Sequence, residues 1–143
     1  MITQEIYIPK YKWTIHAYYA VTTYFVDEIM EHLWRIGIDG QSAKKAYENL
    51  RENSLDSGLC YSNYANRETI IVVAKTSSAE EFLNSMVHEA SHACTHIATA
   101  MYVNLKGEEF AYMVGDLCME MYPKVKGLIC DCCRNKQKHK HYE

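Results

Sequence analysis

The chain has 143 residues, a formal net charge of −3, 48% hydrophobic residues and 23% charged ones. That length and balance fit one compact domain without a long disordered tract. They lack the whole-domain basic footprint of a nucleic-acid binder, and no apolar run approaches the roughly 18 residues of a membrane span.

The first residues, MITQEIYIPKYKW, carry Glu5, Lys10 and Lys12 where a signal peptide needs its apolar stretch. A cytoplasmic protein is expected. Residues 11–24 are rich in Thr, Tyr, Trp, Val and Ile and read as a strand. Residues 26–36 have helical spacing, with Ile29, Leu33 and Ile36 beside Val26 and Met30. Gly37 and Gly40 should stop that helix. A more polar helix over residues 42–53 carries Ala43, Ala46, Tyr47 and Leu50 on one side. The two are expected to pair and cover a sheet. Residues 58–61 and the β-branched run 68–75, joined by the turn-forming 63–67, read as a hairpin.

Ser77 and Ser78 stand three residues before Glu80 and Glu81, a doubled capping-box signature. From there to about Tyr102 the pattern is helical. Phe82, Met86, Ala93, Ile97 and Met101 form one stripe, with Leu83, Val87, Ala90 and Cys94 beside it. Gly107 breaks the pattern, and a last helix over residues 108–122 should end at Pro123. Strands and helices are partly segregated, so the expected class is α+β. Residues 1–127 read as one domain and residues 128–143 as a tail rich in Cys, Lys and His. Arg134, Lys136, Lys138 and Lys140 make that tail a basic, solvated end.

Six cysteines without a secretory signal point away from a disulfide framework. Cys60, Cys94 and Cys118 are scattered and expected to be small buried residues. Cys130, Cys132 and Cys133, followed by His139 and His141, have soft ligands suited to zinc. Their spacing is not the paired form of structural zinc sites, and reduced thiols are the competing reading.

The long helix contains His88-Glu89-Ala90-Ser91-His92. Histidines four apart lie about 40° apart around a helix and one turn along it. Both imidazoles can reach one metal ion, and Glu89 can reach a water on it, the arrangement of a zinc hydrolase. Chance yields this pattern in roughly 3% of chains of such composition, so the motif alone is suggestive. Its uncharged flanks strengthen it, because a solvated helix face seldom reads that way. The competing reading makes His88 and His92 polar positions on a half-buried helix.

Catalytic zinc takes a third protein ligand. Ten residues after His88 stands Ala98, not a histidine. His96 lies about 12 Å along the axis from His88, too far to share its ion easily. The next helix opens with Glu108 and Glu109, and a chain that turns back at Gly107 can bring one carboxylate to the pair. Otherwise the two glutamates only complement the helix dipole.

HEASH followed by EEFAYMVG resembles the gluzincin branch of the zincin metallopeptidases, above all its small single-domain versions in phages and bacterial mobile elements. The matching residues are Glu108, then Ala111-Tyr112, then Gly115. Asn53, Gly58, Tyr61, Ser62, Asn63 and Arg67 resemble the family's hairpin. The resemblance covers about residues 53–122. It implies a zincin-like minimal domain: a small twisted sheet packed on two helices that hold zinc, with a hairpin strand receiving an extended peptide. His88, His92 and Glu108 would hold Zn²⁺, and Glu109 beside Glu108 leaves that assignment open between them. Glu89 would be the general base. Tyr112, one turn after Glu108, is a candidate to stabilise an oxyanion, against a reading as a buried structural tyrosine. Asp116 is a candidate to orient a ligand histidine. The substrate would be a peptide or protein, with no nucleic-acid or membrane partner. The alternative is a zinc-binding structural or interaction protein of a phage or mobile element, its ion closed off by His96 or Glu109.

Overall fold

The computed structural model of the chain describes residues 1–51 and 58–140, the side chains of 136–140 apart. Asn53, named with the hairpin and the second helix, and His141 lie outside the described residues, as does the side chain of His139. The class is α+β, built on a mixed four-stranded sheet.

The N-terminal residues form a strand, β1 (Ile2–Ile8), that the sequence reading did not anticipate. Its Ile6 is buried while Thr3, Glu5 and Tyr7 are exposed, the alternation of a one-sided edge strand. A turn through Pro9 and Lys12 returns the chain into β2 (Trp13–Val21), antiparallel to β1. The expected strand over 11–24 is therefore trimmed at both ends. A short 3₁₀ turn, Thr23–Phe25, leads to α1 (Val26–Arg35), and α2 (Gly40–Arg51) follows. Gly40 starts α2 rather than stopping α1. Asp39 causes this by accepting from the Ser42 backbone N–H (2.8 Å) and hydroxyl (2.7 Å). The hairpin forms as β3 (Gly58–Asn63) and β4 (Glu68–Ala74).

The strand order is β1-β2-β4-β3, with β2 and β4 parallel. The sheet is thus two antiparallel hairpins joined along a parallel seam. Trp13, Ile15, Ala17 and Tyr19 of β2 face one layer with Ile71 and Val73 of β4. Tyr18 faces the other layer with Ile70 and Val72. Burial on both faces explains why β4 reads as a continuous apolar run. The seam slips between Tyr19 and Val21, where Ala20 takes a left-handed φ of 59°. This bulge turns Val21 into the layer of Tyr18 instead of that of Tyr19.

Helices α1 and α2 cover one face, as expected, through Ile29, Leu33, Ala43, Ala46 and Leu50. The other face carries α3 (Ala79–Ala100) and α4 (Glu108–Val125). The Ser78 side chain caps α3 by accepting from the Glu81 N–H at 3.2 Å. Phe82, Met86, Ala90, Ala93, Cys94 and Ile97 are buried, but Leu83 and Val87 are exposed. Helix α4 runs past Pro123, where the sequence reading ended it. Met121 and Val125, one turn apart on the buried side, hold this segment against the core despite the missing proline N–H. The tail is not wholly free. Leu128 and Ile129 pack on the core, and α5 (Asp131–Lys140) follows. No described helix is long and apolar enough to cross a membrane.

On the α1 side, the His16 and His32 rings meet edge-to-face at 4.5 Å between centroids, and Tyr18 hydrogen-bonds His32 Nδ1. Burial, then the neighbouring His16 and Arg35, hold the His32 pKa down to about 4, against a small opposing pull from Glu5. Between pH 6.5 and 4 the unfolded chain therefore binds the proton that the folded chain refuses. Stability present above pH 6.5 is lost as the pH falls toward 4. Urea titrations across this window should show a shallower acid loss in His32→Gln than in wild type.

Gly58 fixes the hairpin against the sheet. Its φ is +148°, and an added Cβ would lie 1.7 Å from the Val72 carbonyl oxygen. Gly58→Ala should cost about 3 kcal/mol or more, read as a lower urea midpoint.

Candidate metal centre

Helix α3 meets β3 along one stripe and leaves the neighbouring stripe open. Gly58, Cys60 and Ser62 alternate along β3 and pair with Val73, Ile71 and Thr69, all on the α3 face. Glu89 lies under the start of β3, 3% exposed, its Cγ 3.2 Å from where a Gly58 Cβ would stand. A side chain at Gly58 would press on this Glu89 methylene as well as clash with the Val72 carbonyl. Burial, then the charge of Glu89, push the Cys60 thiol pKa well up, so Cys60 is an inert neighbour rather than a nucleophile.

His88 and His92 project from the open stripe and are exposed. Their Nε2 atoms stand 3.1 Å apart, with ring centroids 4.7 Å apart and planes at 73°. A tetrahedral ion bound at about 2.05 Å from each nitrogen would hold them about 3.3 Å apart. The observed separation is close to that value, and it is also the length of an N–H···N hydrogen bond between the two rings. Both histidines face solvent rather than the core, on a helix whose other side is buried.

Helix α4 puts its acidic first turn elsewhere. Glu109 accepts from the Tyr11 hydroxyl at 2.6 Å and pairs with Lys10 at 2.7 Å. These partners hold its carboxyl below the usual range, Lys10 contributing most and Tyr11 next. Glu109 is thus committed to the β1–β2 turn, and Glu108 remains the better candidate of the two. Glu108, Tyr112 and Asp116 line a cavity of about 580 Å³ between β1 and α4. Tyr112 is 67% exposed, which corrects its reading as a buried structural tyrosine. Among the described residues no three His, Cys, Asp or Glu side chains are gathered to hold one ion. The structure brings His88 and His92 together with Glu89 on the same turn, and it groups Glu108 with Tyr112 in a separate groove.

His96, one turn beyond His92, ends a buried hydrogen-bonded chain. The Trp13 indole N–H donates to Thr69 Oγ1 at 2.8 Å. Thr69 Oγ1 and Ser62 Oγ are 2.7 Å apart, as are Ser62 Oγ and His96 Nδ1. An indole can only donate. If Thr69 passes its proton to Ser62 and Ser62 passes its own to His96 Nδ1, every hydroxyl hydrogen in the chain has a named acceptor. The reverse direction strands the Thr69 hydrogen at a residue with 0% exposure. His96 is therefore the Nε2–H tautomer, with its inner nitrogen accepting. Burial, then the nearby His92, lower its pKa and so favour its neutral form. In this tautomer His96 would have to move its ring proton to Nδ1 before Nε2 could bind a metal.

Sequence reasoning did not find this network. Trp13, Ser62 and Thr69 come from three strands, and nothing in their local pattern marks them as partners. Long-range ¹H–¹⁵N spectra of the histidine rings should report the Nε2–H form for His96. Ser62→Ala should cost about 1–3 kcal/mol, because it takes one hydrogen-bond partner from Thr69 and one from His96.

No family model matches the chain, no curated protein matches it, and no solved structure matches it.

Proposed function

We propose that the chain is a zinc-dependent metallopeptidase of zincin type, cleaving peptide bonds in a peptide or protein substrate. The observation that carries this reading is the His88–His92 pair, two exposed Nε2 atoms 3.1 Å apart with Glu89 on the same helical turn. The edge strand β3 beside that turn supports it further, since an edge can take an extended peptide as an added strand.

His88 and His92 would hold the ion, and the resemblance to gluzincins makes Glu108, which lines the neighbouring groove, the third ligand. Bound there, Zn²⁺ supplies Lewis acidity, lowering the pKa of water and polarising a carbonyl. Glu89 would take a proton from the attacking water and deliver it to the leaving amine. Its burial beneath Gly58 restricts the carboxylate's motion, which suits a base that must hold one position. Tyr112 would donate its hydroxyl to the developing oxyanion. Glu108 and Tyr112 lie one turn apart and share one groove, so they would serve the site as a unit.

The separation of that groove from the histidine pair favours a second reading. In it the pair binds zinc without Glu108, and the chain is a metal-binding structural or interaction protein with no peptidase activity.

Elemental analysis of purified protein separates these readings. The first predicts about one zinc per wild-type chain, lost in His92→Ala and weakened about 10- to 100-fold in affinity or more by Glu108→Gln. Glu89→Gln should keep the zinc and lose at least about 100-fold in hydrolysis of a peptide library. Zinc binding indifferent to Glu108→Gln, without hydrolysis by wild type, would select the second reading. A well-folded wild type that takes up no zinc defeats both.

A further inference from the structure

The tail holds a second constellation that owes nothing to the histidine pair. Cys130-Asp131-Cys132-Cys133 contains a Cys-x-x-Cys pair, Cys130 and Cys133, at the start of α5. Cys130 occupies the residue before the helix, and its carbonyl accepts the Arg134 N–H at 3.0 Å. Residues three apart lie on one helix face, so Cys133 comes to the side of Cys130 while Cys132 turns away. Cys133, through its backbone and its thiol, and then the Cys132 backbone are the groups that favour a Cys130 thiolate. They hold the Cys130 pKa below that of an ordinary thiol, against burial and the charge of Asp131.

This turn is fastened to the body of the protein. Leu128 and Ile129 pack on the core. The Arg134 guanidinium donates to the Leu128 carbonyl at 3.1 Å and to the Thr76 carbonyl at 2.8 Å. Beside the two thiols lies a cavity of about 470 Å³, lined by Tyr122, Pro123, Lys124, Lys126, Cys130 and Cys133 among others. That volume suits a small organic ligand. Lys124 and Lys126 bring two positive charges to a lining that also includes Cys130 and Cys133.

We propose that Cys130 and Cys133 form a thiol–disulfide exchange site whose substrate is a small anionic disulfide, with Cys130 as the attacking sulfur. The Cys130 thiolate attacks one sulfur of the substrate, RSSR. The substrate S–S bond breaks, and the first RS⁻ leaves and takes up a proton from water. The Cys133 thiol then loses its proton to water and attacks the Cys130 sulfur. The Cys130–Cys133 bond forms, and the second RS⁻ leaves and is protonated. The protein dithiol has lost two electrons and RSSR has gained them, ending as two thiols. Lys124 and Lys126 draw the anionic substrate to the cavity.

The test uses the full chain, reduced and treated with a chelator, exposed to oxidised glutathione and followed by mass spectrometry with peptide mapping. Wild type should form the Cys130–Cys133 disulfide. Cys133→Ser should instead accumulate a glutathione adduct on Cys130, and Cys130→Ser should react at least about tenfold more slowly. Lys124→Glu combined with Lys126→Glu should slow oxidation by glutathione disulfide but not by the neutral 2-hydroxyethyl disulfide. Equal reaction of the three thiols, an adduct trapped on Cys132, or zinc kept on these thiols through chelation would overturn the site. Equal effects of the lysine changes on both disulfides would overturn its preference for anions.

Discussion

Strand β4 is the constraint on which the remainder rests. It bonds β2 on one side and β3 on the other, and Thr69 to Val73 are sealed from water on both faces. A strand in that position cannot leave a backbone or side-chain polar group unmatched. Its one buried hydroxyl, on Thr69, is accordingly tied to Trp13 and Ser62. The parity of β4 then assigns every other element to a layer. Ile70 and Val72 call for α1 and α2, and Ile71 and Val73 call for α3 and α4.

Helix α3 divides its circumference between packing and chemistry. One stripe, from Phe82 to Ile97, is core. A second holds Glu89 and His96 under β3, where a glycine and a serine make room and supply a partner. A third is open and carries His88 and His92. The three stripes explain why the motif's neighbours are uncharged although two of its residues face water. Ala90, Ala93 and Cys94 belong to the core, not to a pocket around the histidines.

Much of this was legible in the residues. Period and caps mark α1 and α3 because one face of each is apolar and the start of α3 has a serine with a glutamate three residues on. The pairing of His88 with His92 follows from helical geometry alone. The rest depends on tertiary choices. β1 alternates, but its isoleucines stand among Thr, Gln and Glu, and only pairing with β2 makes it a strand. Pro123 obeys a local rule that burial of Met121 and Val125 overrides. The parallel seam cannot be read from the chain, because α1 and α2 could return it on either side of β2. Where Glu108 points depends on residues 101–107, which turn α4 toward β1, and the pull of Tyr11 and Lys10 on Glu109 comes from 98 and 99 residues away in the chain.

The two-hairpin construction also bears on how the protein assembles. Each hairpin closes a short loop and can form quickly. The seam between β2 and β4 must wait for the whole excursion through α1, α2 and β3, since Thr14 pairs with Glu68. Contacts of such long sequence separation carry most of the loop-closure entropy and set the pace of folding. Until the seam closes, β4 exposes one side of its backbone and two apolar faces. The same strand that organises the finished protein is its most aggregation-prone segment while the chain is incomplete.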